Sequence, residues 1–159
     1  MSKKIFTIFA GVNGAGKSTL YNSPILEKEK LGIRINTDEI VRTFGDWKNE
    51  VDQVKEKGYK VHLFYVGVNS PEIAKERIAG RVKKGGHDIP SETVEKRYYE
   101  SIENLKIILP KVDLAEIYDN SKFYTLAITK NEEIIRLQTR ELPEWLKDIS
   151  KEFNKTKRS

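Results

Sequence analysis

At 159 residues the chain is long enough for one hydrophobic core and short for two. Hydrophobic residues make up 38% and charged residues 33%, and no apolar run approaches the roughly 18 residues of a membrane-spanning helix. The absence of cysteine excludes disulfides, zinc thiolates and a cysteine nucleophile, while a net charge of +5 suits polyanionic ligands.

Lys4 to Ala10 reads as a buried first strand. It is too short for a signal peptide, lacks a small-residue cleavage pattern and leads into a glycine loop. Ser18 to about Lys30 is expected as the first helix, and Gly32 to Asn36 as a short second strand. Glu39 to Lys57 carries Ile40, Val41, Phe44, Trp47, Val51 and Val54 at helical spacing, and Gly58 stops it. Tyr59 to Val68, rich in β-branched and aromatic residues, reads as a central strand.

Ser70-Pro71 is a helix start, with Ser as cap and Pro in the first turn. That helix should run to about Lys84 and end at Gly85-Gly86. Ile89-Pro90-Ser91 starts another, whose face is Val94, Tyr98, Ile102, Leu105 and Leu109. Leu114 to Tyr118 and Phe123 to Thr129 read as strands joined by a turn at Asp119-Asn120-Ser121. Pro143 begins a last helix bearing Trp145, Leu146, Ile149 and Phe153. Alternating strands and helices imply an α/β fold with a mainly parallel sheet and helices on both faces. Residues 1–150 are expected as a single domain and 151–159 as a basic, frayed tail.

Gly11-Val12-Asn13-Gly14-Ala15-Gly16-Lys17-Ser18 matches G-x-x-x-x-G-K-[ST] without a mismatch. The chemistry explains the spacing. Glycines let the loop curl with its amides inward, and the loop opens into a helix N-terminus, which favours an anion. Lys17 can reach β- and γ-phosphates, Ser18 can offer its hydroxyl to Mg²⁺, and Thr19 is placed for the α-phosphate. The expected nucleotide contacts are therefore Gly11, Asn13, Gly14, Ala15, Gly16, Lys17, Ser18 and Thr19.

Asp38 follows the second strand, where ligands of open α/β sheets bind. It either accepts a proton from a substrate hydroxyl or helps hold the metal, or it is simply a favourable acid in a first helical turn. Arg77, Arg81, Lys83, Lys84 and Arg97 form a basic helix-turn-helix that could fold over phosphates, against the plainer reading of a solvated helix pair. His62 and His87 lie far apart, which argues against a histidine metal site. His87 reads as a turn residue, and Trp47, Trp145 and Tyr98-Tyr99 as core or face residues. Aromatic and basic residues do not interleave, which argues against nucleic acid.

The segments Gly11–Thr19, Asn36–Ile40, Gly58–Val66, Arg81–Tyr98 and Tyr118–Ser121 together resemble the zeta-toxin-like P-loop kinases. The most specific run is Arg81-Val82-Lys83-Lys84-Gly85-Gly86-His87-Asp88-Ile89-Pro90, leading to Lys96-Arg97-Tyr98. The resemblance implies a three-layer P-loop fold of the nucleotide-kinase type with an Arg-bearing helical lid at about 81–97. It implies ATP and Mg²⁺, and transfer of the γ-phosphate to the 3′-hydroxyl of a UDP-N-acetyl sugar such as UDP-N-acetylglucosamine. Asp38 would be the base, with Arg81 and Arg97 on the γ-phosphate and Lys17 and Ser18 in the roles given above. It also implies a cytoplasmic protein with an antitoxin as a candidate partner, and no membrane partner. Family members carry a further helix and a strand with a Glu-Thr-Thr motif between the Asp-bearing segment and the Gly-Tyr-Lys-Val strand. Here only Glu39 to Gly58 fills that gap, and no Glu-Thr-Thr occurs. Either the Gly32–Asn36 strand moves in beside the first strand, or a second copy in a homodimer covers the edge. A nucleotide-binding protein without transferase activity and a nucleic-acid-end kinase are the competing readings.

Overall fold

A computed structural model of the chain describes residues 4–24, 33–36 and 47–156. Six strands form one sheet in the order β2-β1-β3-β4-β5-β6. They are β1 (Ile5–Gly11), β2 (Ile33–Asn36), β3 (Lys60–Gly67), β4 (Leu114–Asp119), β5 (Thr125–Asn131) and β6 (Ile134–Leu137). The first four in that order run parallel; β5 pairs antiparallel with β4, and β6 antiparallel with β5. The helices among the described residues are α1 (Lys17–Asn22), α2 (Trp47–Glu56), α3 (Pro71–Lys83), α4 (Ser91–Ile108) and α5 (Glu144–Thr156).

The near-continuous apolar run of β1 follows from burial on both faces, as parallel strands require. Phe6, Ile8 and Ala10 join one core cluster, with Val51 of α2, Leu105 and Ile108 of α4, and Trp145, Leu146 and Ile149 of α5. Phe9 joins a second cluster, with Leu20 of α1, Ala74 and Ile78 of α3, and Val94 and Tyr98 of α4. The sheet therefore lies between two helical layers, the three-layer P-loop architecture expected. At the end of α4 the buried Lys130 donates to Leu109 C=O at 2.8 Å and Val112 C=O at 2.6 Å. The first of those bonds satisfies the C-cap carbonyl of α4, one of those a helix end leaves open, and the second ties down the turn that follows.

β2 pairs in parallel with β1, from Phe6 opposite Ile33 to Phe9 opposite Asn36. β3 takes the other side of β1. The first strand is thus paired on both edges within one chain, so no second copy is needed there. The Ser70 cap is as expected, its Oγ accepting from Ile73 N–H at 3.4 Å.

Two expectations need correction. The first helix ends at Asn22, not near Lys30, because Ser23 precedes Pro24 and is held extended at ψ 152°. Of the helix expected over Glu39–Lys57, the described part is Trp47–Glu56, and residues 37–46 lie outside the described residues. The strand expected at Phe123–Thr129 runs from Thr125 to Asn131 and continues through Glu132-Glu133 into β6, which the sequence reading missed. α5 extends to Thr156.

Burial gives the fold a defined alkaline limit. The Tyr98 hydroxyl donates to Val68 C=O at 2.8 Å, and burial pushes its pKa from the ordinary 10.0 up to about 12. The folded chain keeps a proton there that the unfolded chain releases, so stability falls as pH rises from about 10 to about 12. Burial raises Tyr65 and Tyr118 as well and adds to the same trend. Lys130 is lowered by burial and has the opposite sign, stability rising with pH up to its ordinary 10.5. Urea midpoints at about pH 8 and about pH 11 should show a net loss, roughly 1 kcal/mol of it from Tyr98. Tyr98→Phe should make the decline shallower by that amount.

Candidate functional site

The loop from Gly11 to Ser18 leaves the carboxyl end of β1 and enters α1. Gly11 has φ 147°, and a side chain there would meet the Val66 carbonyl oxygen of the neighbouring strand. Gly16 has φ 99°, and its missing side chain leaves room for the Tyr124 hydroxyl and Asn120 Nδ2. Both positions therefore require glycine for conformation and for close approach. Within the loop, Ala15 N–H donates to Val12 C=O at 3.1 Å, and both residues are buried. α1 opens with Leu20 N–H donating to Gly16 C=O at 3.0 Å, and the buried Leu20 anchors it. The strand–loop–helix context that the motif needs is present.

The loop borders a cavity of about 530 Å³. Lys17, Ser18 and Thr19 line one part of it, and Arg77 and Arg81 of α3, with Lys84 at its C-cap, another. Four cationic side chains thus face one space, and no acidic residue is among its described lining. Such a cavity suits a polyanion, and its size lies in the usual range for small-molecule sites. Asn120 and Tyr124, from the β4–β5 connection, complete the wall.

Of the expected site residues, the structure brings together Asn13, Gly14, Gly16, Lys17, Ser18, Thr19 and Arg81 at this cavity. Ala15 is buried beneath the loop, and Gly11 forms its entry from β1. Arg97 is exposed on α4 and does not line the cavity. Asp38 lies outside the described residues. His87 is an exposed residue of the α3–α4 connection; Tyr98 and Trp145 are core residues, while Tyr99 is exposed. The side chain of Trp47 lies outside the described residues.

Sequence reasoning gave Asn120 only a turn and a place in the family-like segment Tyr118–Ser121, and gave Tyr124 no role. Asn120 sits just past the carboxyl end of a parallel strand, where ligand sites of such sheets lie, and that position was the available signal. Tyr124 carried none. Among the described residues no group of three or more His, Asp or Glu could hold a metal. A single Ser18 hydroxyl still suits Mg²⁺, which keeps waters and phosphate oxygens and needs few protein ligands. No helix among the described residues is long and apolar enough to cross a membrane.

A family model described as Zeta toxin matches residues 30–129. The match begins after the phosphate loop, so the loop motif and the family match are separate observations. An uncharacterised protein of Haemophilus influenzae is 30% identical over 132 residues, covering 61% of this chain and 93% of the relative. The crystal structure of an AvrRxo1-ORF1:-ORF2 complex is similar with a TM-score of 0.58 at 10% identity, covering 89% of this chain. This chain spans 63% of that one. A structure from the PezAT chromosomal toxin–antitoxin system of Streptococcus pneumoniae is similar with a TM-score of 0.53 at 15% identity, covering 99% of this chain and 87% of that one. At such identities the two structures speak for the fold alone, and they agree with the three-layer architecture described above.

Proposed function

The chain belongs to the zeta-toxin family of P-loop kinases, and on that premise we propose that it transfers the γ-phosphate of ATP to a hydroxyl of a small molecule, a UDP-N-acetyl sugar. The observation that carries this reading is the meeting of Lys17, Ser18 and Arg81 at one cationic cavity. Lys17 and the loop amides bind the β- and γ-phosphates, and Thr19 contacts the α-phosphate. Arg81 offsets charge on the transferring group, and Arg97, exposed on α4, would have to turn toward the cavity to join it. Ser18 would hold Mg²⁺, with Asp38 as a second candidate. When bound, the ion would offset the negative charge of the phosphates.

In the transfer, the acceptor oxygen bonds to the γ-phosphorus. The bond from that phosphorus to the bridging oxygen breaks and ADP leaves. Asp38 takes the acceptor's proton. The absence of Glu-Thr-Thr from the sequence favours a second reading, in which the donor half of the site binds nucleotide without efficient transfer. A cytoplasmic location and an antitoxin partner belong to the leading reading. The partner draws support from the PezAT toxin–antitoxin structure.

ATP consumption measured with and without UDP-N-acetylglucosamine separates the readings. Stimulation by the sugar nucleotide, with one ADP formed per phosphorylated sugar, is the expected result. Tight ATP binding with no stimulation would leave the second reading standing.

A further inference from the structure

Three successive carbonyls of the phosphate loop meet side-chain donors from outside it. Asn120 Nδ2 donates to Ala15 C=O at 2.9 Å, and the Tyr124 hydroxyl donates to Gly16 C=O. Arg77 Nη1 reaches Gly14 C=O at 3.5 Å, the outer limit for such a bond. Its other nitrogen, Nη2, donates to Asn120 C=O at 2.5 Å and Ser121 C=O at 3.3 Å. Arg77 therefore braces the connection that carries the other two donors.

That connection is rooted in the sheet. Asn120 N–H donates to Gly67 C=O at 2.9 Å. Ser121 Oγ donates to Asp119 Oδ1 at 2.7 Å and accepts from Asn69 N–H at 2.9 Å. Trp145 Nε1 donates to the same carboxylate oxygen at 2.9 Å.

A trans peptide is planar, so its C=O and the following N–H point in opposite directions. No cis peptide occurs among the described residues. Holding Ala15 C=O therefore fixes the direction of Gly16 N–H, and holding Gly16 C=O fixes that of Lys17 N–H. A glycine loop would otherwise let these peptide planes turn.

We propose that Arg77, Asn120 and Tyr124 are positioning residues that lock the amide directions of the phosphate loop for a polyphosphate, rather than contacts to the nucleobase. The proposal rests on the kinase reading above. It also divides the work of α3: the Arg77 guanidinium is occupied by carbonyls, and Arg81, one turn on, is the arginine offered to phosphates.

The test compares two ligands, Mg-ATP and inorganic tripolyphosphate, which has no base or sugar. Wild type, Lys17→Ala, Asn120→Ala, Tyr124→Phe and Arg77→Lys are titrated with each by calorimetry. Asn120→Ala and Tyr124→Phe should bind both ligands about five- to tenfold more weakly, by the same factor for each. Arg77→Lys should behave alike, since a single ammonium cannot reproduce the planar fork. Tyr124→Phe keeps the ring, and its thermal midpoint without ligand should fall by no more than about 4 °C. Weaker ATP binding with unchanged tripolyphosphate binding would assign these residues to the base or sugar and overturn the proposal. Unchanged binding of both ligands, with Lys17→Ala impaired, would overturn the proposal alone. Failure of wild type to bind either ligand would overturn the kinase reading and the proposal together.

Discussion

Lys17→Ala should reduce ATP turnover by about 10³-fold, the scale for losing a principal donor to developing phosphate charge. Its ammonium lines a cavity whose other cations come from α3 and its C-cap, so the remaining positive charge is displaced toward Arg77, Arg81 and Lys84. Arg77 is engaged with backbone carbonyls, so it cannot take over the vacated position. Lys17 belongs to the six-residue α1, whose only buried residue is Leu20. The fold should therefore tolerate the change, and the thermal midpoint should stay close to wild type. Turnover and ATP affinity measured on the same preparation check this. Retained turnover would remove the loop from the reaction.

Asp38→Asn carries the second large effect. A general base contributes roughly 10²- to 10⁴-fold, and asparagine keeps the shape of aspartate without its basicity. Phosphoryl transfer should fall by that factor while ATP affinity stays within about threefold. The split between the two measurements matters more than either value. Equal loss of both would place Asp38 on the metal or in the structure. Transfer unchanged would leave the acceptor activated by some other group.

The donor half of the site was legible because its determinants are local. Eight consecutive residues set the loop, an apolar run before it sets a strand buried on both faces, and Ser70-Pro71 sets the start of the helix that bears Arg81. The walls opposite were not legible. The bonds from Asn120 and Tyr124 to the loop join residues 105 and 108 positions apart, and no local pattern encodes such contacts. β6 was missed for another reason. It is four residues long, and the two-residue turn before it places Glu132 at φ 52°, where Asn or Gly would have signalled a hairpin. The overlong first helix came from passing over the break that Ser23-Pro24 sets. Replacing the missing strand, by contrast, was a question of backbone hydrogen bonds. β1 needed a partner on its open edge, and β2 supplies it.

The most direct measurement is a crystal structure with a non-hydrolysable ATP analogue and Mg²⁺. The expected result places the β- and γ-phosphates about 3 Å from Lys17 Nζ and the loop amides, with Arg81 turned toward the γ-phosphate and Ser18 on the metal. Electron density for the triphosphate away from the Gly11–Ser18 loop, or with its γ-phosphate remote from both Lys17 and Arg81, would contradict the kinase reading.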